Sequence, residues 1–197
     1  MNAIAAVVAN PSASDMTAPA PAVSAGLTAN DFDLFGLPMR FAQERSAIDA
    51  RWKELQRETH PDRFAAQGTA AQRVAMQWSV RINEAHQRLK DPLKRAAYLC
   101  ELAGTPIDAE RNTAMPAEFL MQQMAWREAL DEAHTETALS ALLDEVQRAH
   151  REALQACGEQ IDVQQQWDLA AQLVRRLMFI ERFLRDIDNK LDALDAA

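Results

Sequence analysis

Glycine and cysteine are scarce in this chain: of 197 residues, five are glycine and two are cysteine. Cys100 and Cys157 stand far apart with no CxxC pair. That excludes a disulfide framework and a zinc knuckle, and it fits a reducing compartment. No glycine-rich phosphate loop occurs, so the chain is not expected to hold a nucleotide. No apolar run approaches the roughly 18 residues of a membrane span, which argues against an integral membrane protein. Basic blocks are missing as well. Acidic residues outnumber basic ones 29 to 21, leaving a formal charge of −8, and without a Lys/Arg-rich run the chain is poorly suited to phosphate backbones. Neither a nucleophile–base pair nor a His/Cys cluster at ligand spacing emerges, so no enzyme, metal site or cofactor is expected.

What the chain does have is an ordinary globular composition, 48% hydrophobic and 25% charged. Its charge is uneven. Residues 1–29 carry only Asp15; residues 30–103 carry 12 basic and 10 acidic residues, a net +2; residues 104–197 carry 9 and 18, a net −9. The first 29 residues are rich in Ala, Ser and Pro and have no aromatic. Such a segment cannot bury enough surface to offset its ordering entropy, and is expected to be a disordered tail. Its first basic residue is Arg40, which fits neither a signal peptide nor a mitochondrial presequence; a cytoplasmic protein is expected.

From residue 30 onward the apolar spacing is helical, with no period-2 strand. Asn30 caps a turn carrying Phe32, Leu34, Phe35 and Leu37, closed by Gly36 and Pro38. Ile48, Trp52, Leu55 and Thr59 predict a helix over 46–59, ended by Pro61. Val74, Trp78, Ile82, Ala85 and Leu89 predict a second over 69–89, and Asp91-Pro92 starts a short third over 93–103. Gly104, Pro106 and Pro116 bracket a linker, 104–116. Three longer helices follow over 117–133, 135–157 and 163–194, the second capped by Gly158. In the last, Leu173, Leu177, Ile180, Leu184, Ile187, Leu191 and Leu194 form a heptad seam for packing against other helices. The fold class is all-α, in two helical domains at 30–103 and 117–197.

The tripeptide His60-Pro61-Asp62 follows an amphipathic helix whose outer faces carry Arg51, Lys53 and Arg57. Taken alone it reads equally as a helix-ending turn. Its position is the informative part, since two antiparallel helices present it at their open end. With Phe32-Asp33-Leu34-Phe35-Gly36-Leu37 upstream and Ile82-Asn83-Glu84-Ala85 and Leu89-Lys90-Asp91-Pro92 downstream, residues 31–98 resemble the J domain of DnaJ-type co-chaperones. The resemblance implies an antiparallel helical hairpin with short flanking helices. It also implies that His60, Pro61 and Asp62 dock on a DnaK-type chaperone and trigger its ATP hydrolysis, with Lys53, Arg57 and Arg63 as basic contacts. Glu54 and Glu58 dilute that basic face.

The second half narrows the resemblance. There is no Gly/Phe-rich region and no cysteine-rich zinc module, so a general DnaJ is not matched. Glu118-Phe119-Leu120-Met121-Gln122-Gln123-Met124-Ala125-Trp126-Arg127-Glu128-Ala129-Leu130-Asp131-Glu132 is similar to the start of the C-terminal bundle of HscB-family co-chaperones of iron–sulfur cluster assembly. Asp31–Pro38 and Arg175–Phe179 point the same way, and the match is to the bacterial form. The resemblance implies a C-terminal three-helix bundle that binds the IscU scaffold and delivers it to HscA, a specialised DnaK-type chaperone. It places scaffold binding at Leu120, Met121, Met124 and Phe179, with Glu128 and Glu132 as an acidic rim. From the residues alone, that excess of apolar surface is either core or an exposed patch. His86, His134 and His150 read as packed or solvated side chains, and Asp186, Asp188, Asp192 and Asp195 as a solvated face. A J-domain protein serving another client, or a non-catalytic helical adaptor, are the alternatives.

Overall fold

A computed structural model of the chain describes residues 28–60, 62–63, 68–108 and 115–195, and every regular element among them is helical. The readings made for the tail through Leu27, for Pro61 and for the middle of the 104–116 linker fall outside the described residues.

The first helix, α1 (Asp31–Phe35), starts where Asn30 Oδ1 accepts the Asp33 N–H at 2.9 Å and ends where Gly36 turns left-handed at φ 61°. Short as it is, it inserts Phe32, Leu34 and Phe35 fully into the core. Helices α2 (Arg45–Thr59) and α3 (Thr69–Lys90) form the hairpin, burying Ile48 and Leu55 from one side and Trp78, Ile82, Ala85 and Leu89 from the other. Val74, expected on the buried stripe, is half exposed, and Ala75 is inside instead. A stripe of three-and-four spacing admits either residue, and the packing against α2 takes in Ala75.

Helix α4 (Pro92–Leu102) begins at Asp91, whose carboxylate accepts the Lys94 N–H at 3.1 Å. It is apolar on more than one face because it has two sets of neighbours. It packs on α3 and also on α6 (Glu136–Glu159) and α7 (Trp167–Asp195). With α5 (Ala117–Glu132), α6 and α7 complete a three-helix bundle. One continuous apolar core runs from Phe32 through Leu99 to Ile187, so the hairpin and bundle share an interior.

Gly158 does not cap α6, contrary to the expectation from its sequence position. The helix runs through it into a π-helical turn, Gln160–Gln164, and α7 starts at Trp167 rather than Val163. The glycine is there for space: a Cβ would lie 2.7 Å from Phe41 Cδ1. Phe41 belongs to the segment between α1 and α2, and this segment is pinned to the bundle. Asp162 accepts the N–H groups of Phe41 and Ala42 at 2.6 and 2.8 Å. Buried Arg95 donates to Phe41 O at 2.8 Å and to Leu89 O, with its guanidinium 5.2 Å from the Phe41 ring. Burial lowers the Arg95 pKa from the usual guanidinium value, with the charges of Asp91 and Asp162 opposing the shift.

Candidate functional site

The hairpin tip is built by the end of α2. His60 leaves helical geometry at φ −60°, ψ 127°, the extended form that a following proline favours. Its Nδ1 accepts the Asp62 N–H at 3.3 Å and lies 3.6 Å from Asp62 Oδ2. Arg63 N–H closes the turn on His60 O at 3.0 Å. Both acid–base side chains face outward, at 56% exposure for His60 and 89% for Asp62. Lys53, Arg57 and His60 follow at steps of four and three along α2, so they share one face. Arg63 folds back to donate Nη1–H to Arg57 O at 3.1 Å, placing a positive charge where the helix dipole is negative. Lys53, Arg57 and Arg63 are all exposed. Gln56, which no sequence signal singled out, joins Arg57, His60 and Arg63 around a shallow depression.

Of the acidic residues expected to dilute this face, one is exposed but paired and the other is half-buried. Glu54 is paired with Arg51 at 2.6 Å, and Arg51 in turn donates to Phe35 O at 3.0 Å. Glu58 is half-buried. The α2–α3 register rests on polar contacts that the apolar spacing did not predict. Asn83 Oδ1 accepts from Trp52 Nε1 at 2.9 Å and from Gln56 Nε2 at 2.8 Å. His86 is buried, stacks on Trp52 at 4.7 Å and meets Asp49 at 2.7 Å. Hydrogen bonding to His86 holds the Asp49 carboxyl below its ordinary range; desolvation opposes this and Arg45 assists it. At the other end Asp31, fully buried, pairs with Arg81 at 2.5 Å and Arg88 at 2.7 Å, fastening α1 to α3.

The second candidate surface lies on α5. Phe119 and Trp126 point into the core, and Trp126 Nε1 donates to Glu145 at 2.7 Å. One step round the helix, Leu120, Met121 and Met124 stand 45%, 72% and 71% exposed, and Glu128 and Glu132 continue that stripe, both exposed. Phe179 differs from them. It is half-buried, edge-on to Phe119 at 5.7 Å and stacked on Phe183 at 6.1 Å, with the Arg127 guanidinium 5.7 Å from its ring. Phe183, off the heptad seam, is core, stacked on Trp126 at 5.8 Å. Three apolar side chains on one bare helix face, two of them methionines, make an adaptable contact surface. The face and the hairpin tip share no residue. Among the described residues no group of three or more His, Cys, Asp or Glu is placed to hold a metal ion.

Residues 115–188 match a family described as the HSCB C-terminal oligomerisation domain. The chain is 47% identical over 167 residues to a co-chaperone protein HscB homolog of Burkholderia multivorans, covering 83% of this chain and 95% of that one. It is 46% identical over 174 residues to the homolog of Paraburkholderia xenovorans, covering 87% and 99%. The chaperone HscB structure from Vibrio cholerae superposes with TM-score 0.72 at 36% identity, over 84% of this chain and 99% of that one. Human co-chaperone HscB shares the fold, TM-score 0.78 at 24% identity, over 83% and 82%. A helical hairpin fused to a three-helix bundle, shared with these structures at this identity, places the chain among co-chaperones. Within that class, the identity to these relatives over most of the chain is decisive: the chain belongs to the HscB family of co-chaperones.

Proposed function

We propose that the chain stimulates ATP hydrolysis by a DnaK-type chaperone, HscA, and delivers the iron–sulfur scaffold IscU to it, in the cytoplasm and with no catalytic step of its own. In this reading residues 30–103 act as the J domain, 104–116 as linker, and 117–197 as the bundle that carries the scaffold. The observation that carries it is the exposed turn at His60 and Asp62, with Lys53 and Arg57 on the same face of α2. Asp62 is free to accept charge-assisted bonds from a partner arginine, and the basic residues steer an acidic surface onto the tip. Pro61 completes the tripeptide. The bare stripe of Leu120, Met121 and Met124, with Glu128 and Glu132 beyond it and Phe179 at its edge, supports the scaffold assignment.

HscA turnover measured with wild type and His60→Gln tests the first half. The variant is expected to leave HscA near its basal rate, and equal stimulation by both proteins would sink the reading. For the second half, Leu120→Ala with Met124→Ala is expected to weaken scaffold binding about tenfold or more while scaffold-free stimulation persists. Unchanged affinity in titration calorimetry, with His60 still required, would leave a J-domain co-chaperone for another client.

A further inference from the structure

Helix α2 meets the core along a narrow line. Its buried side chains are Ile48, Leu55 and Thr59. At about 100° per residue, steps of seven and four bring all three within roughly 40° of arc. A single line of contact resists separation of a helix from its neighbours but not a roll about its own axis. The direction faced by the outer side chains is therefore set on the flanks.

On one flank Arg51 donates to Phe35 O at 3.0 Å. On the other, Asn83 of α3 holds two residues of α2 with one atom: its Oδ1 accepts from Trp52 Nε1 at 2.9 Å and from Gln56 Nε2 at 2.8 Å. Donor chemistry fixes both amides. An indole N–H can only donate, so the oxygen of Asn83 faces α2, and Gln56 meets that oxygen with its NH2 group. His86, a turn further along α3, adds its stack on Trp52 at 4.7 Å and its 2.7 Å contact with Asp49. Of these contacts between α2 and α3, the one from Asn83 to Gln56 is nearest the turn, one helical turn before His60.

The two residues held by Asn83 are those immediately before Lys53 and Arg57. Successive side chains stand about 100° apart, so fixing Trp52 and Gln56 also fixes where Lys53, Arg57 and His60 point. Both bonds lie at the surface, where water takes the place of a lost partner, so they add direction more than stability.

We propose that Asn83 is a positioning residue for chaperone docking. Its carbonyl oxygen sets the roll of α2 and so presents Lys53 and Arg57 together with the turn at His60. Asn83 acts through α2 and not by contact with the chaperone. The turn is closed by its own bonds, from Asp62 and Arg63 to His60, so loss of the acceptor weakens docking and leaves the trigger intact. The proposal rests on the J-domain reading of the tip, and its test separates the two.

ATP turnover by HscA is titrated with the full-length chain as wild type, Asn83→Ala, Asn83→Asp, His60→Gln and Gly158→Ala, with a thermal midpoint recorded for each. Asn83→Ala is expected to raise the concentration for half-maximal stimulation about fivefold while the saturated rate stays at the wild-type value. Asn83→Asp keeps an oxygen acceptor for both N–H groups and is expected to return to within about twofold of wild type. Gly158→Ala is destabilised at the Phe41 contact and is expected to keep the wild-type half-maximal concentration, which general loosening of the fold would not allow.

A wild-type response in Asn83→Ala overturns the positioning role and leaves the J-domain reading standing. No stimulation by wild type, or equal stimulation by His60→Gln, overturns that reading and the positioning role with it. No recovery in Asn83→Asp, an equal rise in Gly158→Ala, or a lowered saturated rate in Asn83→Ala also overturns the proposal. If Asn83→Ala does not fold, Trp52→Phe decides, since it drops one donor and keeps a ring against His86. Its half-maximal concentration must rise, and a wild-type value overturns the proposal.

Discussion

Single residues in this protein are read wrongly when only their own helix is considered, and Gly158 shows why. A glycine inside a helix is ordinarily about 1 kcal/mol worse than alanine. Here the added methyl would meet the Phe41 ring at 2.7 Å, so the sign reverses. Gly158→Ala is expected to lower the unfolding free energy by about 1–3 kcal/mol in urea titrations. In a Phe41→Ala background the same change should be neutral or favourable. The two cysteines make a similar point. Both are fully buried, and burial pushes Cys100 up to about 11 and Cys157 up to about 12. At pH 8 each is therefore a neutral thiol shielded from reagent. Ellman's reagent should label neither in the native protein and both after unfolding; rapid native labelling would contradict their placement.

At the scale of the element, α2 shows how a helix with a modest apolar stripe is held to one orientation. Ile48 and Leu55 bury it, but Asn83 and His86 on α3 set which face turns outward, through Trp52, Gln56 and Asp49. The Asp49 carboxyl is held below its ordinary value of 3.8, chiefly by His86. A lowered carboxylate contributes stability above its unfolded pKa and loses it as pH falls through the folded value. Asp49→Asn should thus flatten the acid limb: its urea midpoint falls less than wild type's between neutral pH and the acid side of that range. An identical pH profile would mean the His86 contact carries no stability.

Across the whole molecule, the uneven charge maps onto the two candidate surfaces. Residues 30–103 carry a net +2 and present the basic face of α2, while residues 104–197 carry −9 and present the α5 stripe with its acidic rim. The shared core and the contact of Phe41 with Gly158, Asp162 and Arg95 join the two halves. Asp162→Ala leaves two backbone N–H groups without their charged acceptor. It is expected to cost about 2 kcal/mol and to speed amide exchange at Phe41 and Ala42, read by hydrogen-exchange mass spectrometry. Unaltered exchange there would show that the joint does not depend on the carboxylate.

Much of this was legible in the sequence because it is local. Apolar periodicity, the Asn30 and Asp91 caps and the proline at 61 mark out helices that the structure reproduces to within a few residues, since caps and stripes depend on near neighbours in the chain. The turn at His60 and Asp62 and the excess apolar arc of α5 were visible for the same reason. Tertiary structure alone decided which apolar residues are covered. Val74 and Ala75 are equivalent by spacing, as are Leu120 and Phe119 by hydropathy, yet one of each pair is buried and the other bare. It also decided that Gly158 makes room instead of ending a helix. Periodicity says that a face is apolar; only a neighbour from elsewhere in the chain determines whether that face becomes core or stays open to a partner.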